Sequence, residues 1–215
     1  MPIGNIFAQG GVVMIPLLGL SILAVALILE RSLFWWQIAH KQDQVVRDVL
    51  GLYRRSAKAA VQKLEQNTQL PIARIFLAAL ELEQATSDEF RLALESAAQA
   101  ELPLLKRFNT VFDTVISVSP LLGLLGTILG LITSFASLKL GDLGGSSTTN
   151  VTAGISEALI STASGLVVSI FTLLFANVFR GLYLRQMALI QEYGGQLELI
   201  YRRRYERGGL PHASA

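Results

Sequence analysis

The charged residues of this 215-residue chain leave three long gaps: none occurs from Met1 to Leu29, none from Thr114 to Leu138 and none from Ala158 to Phe179. A helix needs roughly 20 apolar residues to cross the hydrocarbon layer of a bilayer, and each gap is long enough. One such run alone is compatible with a buried helix in a soluble core. Three in so short a chain are not, because a soluble domain of this size cannot cover that much apolar helix. An apolar content of 52% against 16% charged residues points the same way. The expected fold class is therefore an all-α membrane protein with three transmembrane helices.

The same inventory excludes several chemistries. The chain has no cysteine, so no disulfide, thiolate or cysteine metal site arises. Both histidines, His40 and His212, lie outside the gaps. No span offers a nucleophile with a histidine or metal partner, so no catalytic residue, no cofactor and no enzymatic activity are expected. The apolar N-terminal stretch lacks a basic region before it, which argues against a cleaved signal peptide. The small basic excess reads as a topology signal rather than as affinity for nucleic acid.

Lys and Arg are distributed unequally around the spans. There are none before the first, eleven between Glu30 and Asp113, one (Lys139) after the second and six from Arg180 onward. Residues flanking the spans weigh most in the positive-inside rule. Arg31, Lys106, Arg107, Arg180 and Arg185 all fall on one side. The N-terminus is thus expected outside, with the large loop and the tail in the cytoplasm. Phe34, Trp35 and Trp36 suit an aromatic belt at the inner interface.

These patterns divide the chain into a periplasmic N-terminus (1–11), a first span (12–33), a cytoplasmic helical domain (34–111), a second span (112–138), a periplasmic loop (139–150), a third span (151–179) and a cytoplasmic helical tail (180–215). Pro16 falls in the first turns of span 1, where a missing N–H costs least. Glu30–Arg31 reads as an interfacial ion pair. Gln42 to Gln66 carries a loose amphipathic pattern. Asn67–Gln69 breaks it, and Pro71 suits the first position of a new helix ending near Gln84. Thr86 and Glu89 have capping-box spacing. The helix they open is expected to continue into span 2, kinked at Pro103. Gly194–Gly195 weakens the extension of span 3, and the residues after Gly208 look disordered.

Two features carry the functional reading. In span 2, Gly126 and Gly130 form a GxxxG pair that Ser134 extends, with Pro120 and Gly123 before it. In lipid, small residues at this spacing let helix backbones approach closely and mark a helix–helix seam. In span 3, Glu157 stands about two turns inside the outer end, roughly 9–10 Å at 1.5 Å per residue. An intramembrane carboxylate is costly and normally faces protein or water. Ser161, Thr162, Ser164 and Ser169 follow it, giving span 3 a polar side. Glu157 is either a structural acid near the outer interface or a functional group, and residue chemistry divides these evenly. A ring of identical subunits could place Thr127, Thr162 and Glu157 inward, where a monomer has little room for a pore.

The stretch from Pro120 to Phe135, including Gly-Leu-Leu-Gly-Thr-Ile-Leu-Gly, resembles the second span of the ExbB/TolQ/MotA proton-channel family. The stretch from Gly154 to Asn177, opening Gly-Ile-Ser-Glu-Ala-Leu-Ile-Ser-Thr-Ala-Ser-Gly-Leu, is similar to that family's third span and includes Gly165. Pro16, Ser21 and the Glu30–Arg31 ending resemble span 1 of its ExbB/TolQ branch. Two departures occur: the family often has a proline about where Phe171 stands and an aromatic where Ala176 stands. The resemblance implies a homo-oligomeric ring, a pentamer, in a bacterial inner membrane. It also implies an ExbD- or TolR-like single-span partner whose aspartate carries protons, and a driven TonB- or TolA-like protein. Glu157, Thr127, Thr162 and Ser161 would line the proton route, and Gly123, Gly126, Gly130, Pro120 and Gly165 would pack the helices. The alternative is a non-conducting scaffold that oligomerises and anchors a partner, with Glu157 an assembly contact.

Overall fold

The computed structural model describes residues 10–82, 85–137 and 146–208. Helix accounts for 91% of them, and no strand occurs among these described residues. The helices are α1 (Met14–Arg55), α2 (Ala57–Glu65), α3 (Pro71–Leu80), α4 (Ser87–Leu105), α5 (Asn109–Ser137) and α6 (Ser146–Gly208). Three helical stretches, Met14–Arg55, Ser87–Ala136 and Val151–Glu206, are long and apolar enough to cross a membrane.

The chain divides into two compact units. One holds the chain up to Arg31 together with Phe108–Phe179, and the other holds Ser32–Arg107 together with the chain from Arg180.

Local chemistry explains most boundaries. Pro16 is the third residue of α1, where its missing N–H falls among the N-terminal groups that have no intrahelical partner. α1 then runs on to Arg55, so the expected amphipathic stretch from Gln42 to Gln66 splits in two. Ser56 divides it: its backbone is extended, and its hydroxyl accepts from the Ala59 N–H at 3.4 Å as the cap of α2. A turn follows in which the Leu70 N–H donates to the Asn67 carbonyl at 2.9 Å. Pro71 opens α3 at the position that needs no N–H. α3 stops at Leu80, short of Gln84, which lies outside the described residues. Thr86 and Glu89 form the complete capping box. The Thr86 N–H donates to Glu89 Oε2 at 2.7 Å, and the Glu89 N–H donates back to Thr86 Oγ1 at 3.3 Å. Bonds from the Thr86 backbone and hydroxyl hold the Glu89 carboxyl below the usual carboxylate range.

The continuous kinked helix expected across Pro103 is not formed. α4 ends at Leu105 and α5 begins at Asn109. Pro103 has no N–H to offer the carbonyl four residues back, and the chain unwinds one turn later. Lys106 donates to the Leu102 carbonyl at 3.0 Å and Arg107 to that of Leu104 at 3.3 Å. Phe108 then takes a left-handed conformation at φ 68°. A left-handed residue commonly ends a helix, but it is usually glycine. A bulky side chain there is uncommon, and nothing in the composition signals it.

α6 also departs from expectation. It begins at Ser146, so residues 146–150 are helical rather than loop, while 138–145 lie outside the described residues. Gly194–Gly195 does not interrupt it, because a penalty of about 1 kcal/mol per helical glycine is small beside the bonds of a 63-residue helix. The tail after Gly208 lies outside the described residues.

In the second unit, α3 packs on α2 and α4 around Leu70, Ile72, Ile75, Phe76 and Phe90, all essentially inaccessible. The Phe90 ring stacks on Tyr201 with centroids 3.9 Å apart, and the Tyr201 hydroxyl donates to the Ala85 carbonyl at 2.5 Å. α1 and α6 meet through two buried amides. Gln42 Nε2 donates to Gln186 Oε1 at 3.1 Å, and Gln186 Nε2 donates to Gln42 Oε1 at 2.6 Å.

Candidate functional site

In the first unit, α5 and α6 run antiparallel along two stripes of small residues. Ser119, Gly123, Gly126, Gly130 and Ser134 of α5 face Gly154, Ala158, Ser161 and Gly165 of α6. A Cβ added to Gly130 would stand 2.8 Å from the Gly154 carbonyl oxygen and 3.0 Å from Ala158 Cβ. One on Gly123 would stand 3.0 Å from the Ser161 oxygen and 3.0 Å from Thr162 Cα, and one on Gly165 would overlap the Ser119 carbonyl oxygen. Most of these neighbours are backbone, which cannot step aside as a flexible side chain could. Close backbone approach is how helices associate in lipid, where apolar burial brings them no gain.

Pro120 lies beside this seam, half-buried within α5. It has no N–H for the Ile116 carbonyl. The Ser169 hydroxyl of α6 donates to that carbonyl at 2.8 Å. The proline thus opens an acceptor that a serine across the seam fills, which matters where no water can do so.

The hydroxyls of the candidate site are also bonded into this frame. Ser161 is fully buried, donating to the Ala158 carbonyl at 2.9 Å and lying 3.4 Å from that of Gly123. Thr162 Oγ1 donates to the Gly123 carbonyl at 3.1 Å. Thr127, one turn further along α5, donates to the Leu124 carbonyl at 2.6 Å. Both threonines are half-buried. Both bond to α5 carbonyls, so what brings them together is the α5 backbone rather than a direct contact.

Three segments meet near Gly126, whose added Cβ would overlap the Ser161 side chain and stand 3.6 Å from Val13 Cβ. Val13, Met14 and Leu17 are buried there in a cluster that also takes in Leu122.

Glu157 sits one turn from Ser161, half-buried. Its carboxyl group fills the space beside Gly11 at the entry to α1. A Cβ on Gly11 would overlap Glu157 Oε1 and stand 2.8 Å from its Cδ. Gly11 has φ +71°, a conformation that other residues rarely adopt. Sequence patterns alone assign this glycine no role, although a Gly-Gly pair just before a helix is a recognisable turn signal. Nor do they disclose the acceptor that Pro120 opens, which depends on a partner 53 residues away.

This arrangement offers one titratable group, flanked by hydroxyls, on helices that otherwise carry no charge over membrane-length stretches. Residues 67–192 match the model of the MotA/TolQ/ExbB proton channel family. A Synechocystis protein that carries the name ExbB-like 3 is 66% identical over 198 residues, covering 92% of this chain and 94% of that protein. ExbB of Salmonella typhimurium is 32% identical over 70% of this chain and 59% of its own length. TolQ of the Tol-Pal system in Haemophilus influenzae is 34% identical over 56% of this chain and 51% of its own length. With the family model covering more than half of the chain, and a relative this similar over nearly all of it, the chain belongs to the MotA/TolQ/ExbB proton channel family.

Proposed function

We propose that this chain is the proton-channel subunit of an energy-transducing complex in a bacterial inner membrane. Its N-terminus lies outside, and its 34–111 segment and tail lie in the cytoplasm. Identical copies, five by family resemblance, surround an ExbD- or TolR-like single-span partner. Proton flow through the complex then drives a TonB- or TolA-like protein that spans the periplasm. The observation carrying this reading is Glu157, an acid at the edge of a 22-residue charge-free stretch of α6, with Thr162 five residues along the same helix and bonded across the seam to α5. An ionisable residue within a membrane span is a functional group by default, because of its cost there. In this reading Glu157 exchanges protons with the partner's acid, Thr162 and Thr127 provide hydroxyls along the route, and Ser161 with the glycines holds the seam. Exposed apolar side chains such as Leu124, Ile128, Leu159 and Val167 supply surface for lipid and neighbouring copies.

The test uses the full chain with its single-span partner in proteoliposomes, reading proton uptake by a pH-sensitive dye and assembly by native mass spectrometry. Glu157→Ala and Thr162→Val are expected to abolish proton uptake while the oligomer persists. Full uptake in both variants overturns the proposal. Loss of the oligomer in Glu157→Ala favours the scaffold reading instead.

A further inference from the structure

The Gly10–Gly11 turn has no part in the function so far, yet it touches the one carboxylate that does. Gly11 is left-handed at φ +71°, and the Met14 N–H donates to its carbonyl at 3.1 Å, so the turn leads directly into α1. The space its side chain would need is occupied by Glu157: Cδ lies 2.8 Å and Cγ 3.2 Å from the position of an added Cβ. The turn is also fixed from other sides. A Cβ on Gly10 would stand 2.7 Å from Met14 Sδ and 3.3 Å from Ile160 Cγ2, and Val13 and Met14 are buried in the cluster with Leu122. The entry to α1 is thus held by residues of both α5 and α6. It is the end of α1 where unpaired N–H groups and the positive end of the helix dipole lie, an environment that favours a negative group.

We infer that Gly11 is a positioning residue: the Gly10–Gly11 turn is a seat that fixes the Glu157 carboxyl group at the mouth of α1. The inference rests on the proposed proton role of Glu157. The seat requires glycine twice over, once for the backbone conformation and once for the space. Shifting a reacting group by an ångström can cost up to about a hundredfold in rate. Gly11→Ala therefore lowers proton uptake roughly ten- to hundredfold without removing the carboxylate.

The experiment measures proton uptake by the full chain with its partner for Gly11→Ala, Gly11→Asn, Glu157→Asp and Gly11→Ala/Glu157→Asp, with Gly19→Ala as control because nothing lies near Gly19. Asparagine tolerates left-handed backbone but carries a Cβ, so a seat makes Gly11→Asn as poor as Gly11→Ala. Glu157→Asp is one methylene shorter and makes room, so the double variant recovers to the level of Glu157→Asp alone. Gly11→Asn behaving as wild type, or losses in the double variant that simply multiply, would mean that backbone strain is responsible, and the seat is overturned. Normal uptake in Gly11→Ala while Glu157→Ala is inactive overturns the seat and leaves the proton reading standing. Normal uptake in Glu157→Ala overturns both. Should Gly11→Ala fail to assemble, oxidation of a Gly11→Cys/Glu157→Cys pair in native membranes decides. A cross-link supports the seat, and its absence, as in the Gly19→Cys/Glu157→Cys control, overturns it.

Discussion

The helix contacts in the two units of the molecule are built from opposite residues. Where α5 meets α6, in the unit built from the first span and Phe108–Phe179, the inward residues are glycine, alanine and serine, with larger ones such as Leu17 and Phe112 buried away from that seam. On the far side of the seam large side chains point out: Leu121, Ile132 and Phe135 are 63%, 58% and 63% exposed. In the unit formed by Ser32–Arg107 and the chain from Arg180, Leu70, Ile72, Phe76 and Phe90 are each 0% exposed. The difference matches what lipid around the first unit and water around the second would select. In water, burying apolar area stabilises by about 25 cal/mol per Å², so large apolar residues are the ones to bury. In lipid that gain vanishes, and close backbone packing with interhelical hydrogen bonds takes its place. Glycine therefore has opposite value in the two units.

That contrast can be broken by substitution. The largest effect is expected from Gly165→Leu, where the nearest atoms are the Ser119 carbonyl and Gly123 Cα and neither can yield. The seam is forced apart, and loss of folded protein in detergent, a destabilisation of about 4 kcal/mol or more, is the expected reading. Wild-type resistance to unfolding would mean that the seam is not close-packed. Phe76→Ala removes a fully buried ring from the other unit and should cost about 3–5 kcal/mol, read as a fall in thermal midpoint; the same truncation at the exposed Phe135 should cost far less. Ser169→Ala leaves the acceptor opened by Pro120 unfilled and should cost about 1 kcal/mol in mixed-micelle unfolding. Replacing Pro120 as well should reduce that cost, because the Ile116 carbonyl then regains a partner within its own helix. The smallest effect has the opposite sign. Gly194 has nothing within 4 Å of an added Cβ, so Gly194→Ala should stabilise by about 0.5–1 kcal/mol. A loss of stability there would mean that glycine is needed in both units for the same reason.

The three spans are legible in the sequence because few structures besides a membrane-crossing helix leave twenty residues without a charge. The capping box at Thr86 and the start at Pro71 are legible because each depends on residues within one turn. The glycine stripe of α5 is legible as a seam, since a period of four places its members on one face. What cannot be read depends on partners distant in sequence. The close match between Gly11 and Glu157 joins residues 146 positions apart. The break after Leu105 is marked by the left-handed Phe108, and phenylalanine carries no turn preference that would announce it. Ser161 illustrates the same limit. Its hydroxyl reads as part of a polar path, and spacing alone does not disclose that it is buried beside the Gly123 and Ala158 carbonyls.

The paired amides of Gln42 and Gln186 act as a detent between two long rods. Smooth apolar surfaces can slide past one another at little cost. A slip of α1 along α6 by one turn, about 5.4 Å, would instead break both amide bonds and leave four buried polar groups without those partners, each costing about 1–3 kcal/mol. Only one longitudinal setting of the two helices satisfies the pair. A change at either glutamine is therefore tolerated only with a matching change at the other, so the two positions should mutate together or not at all.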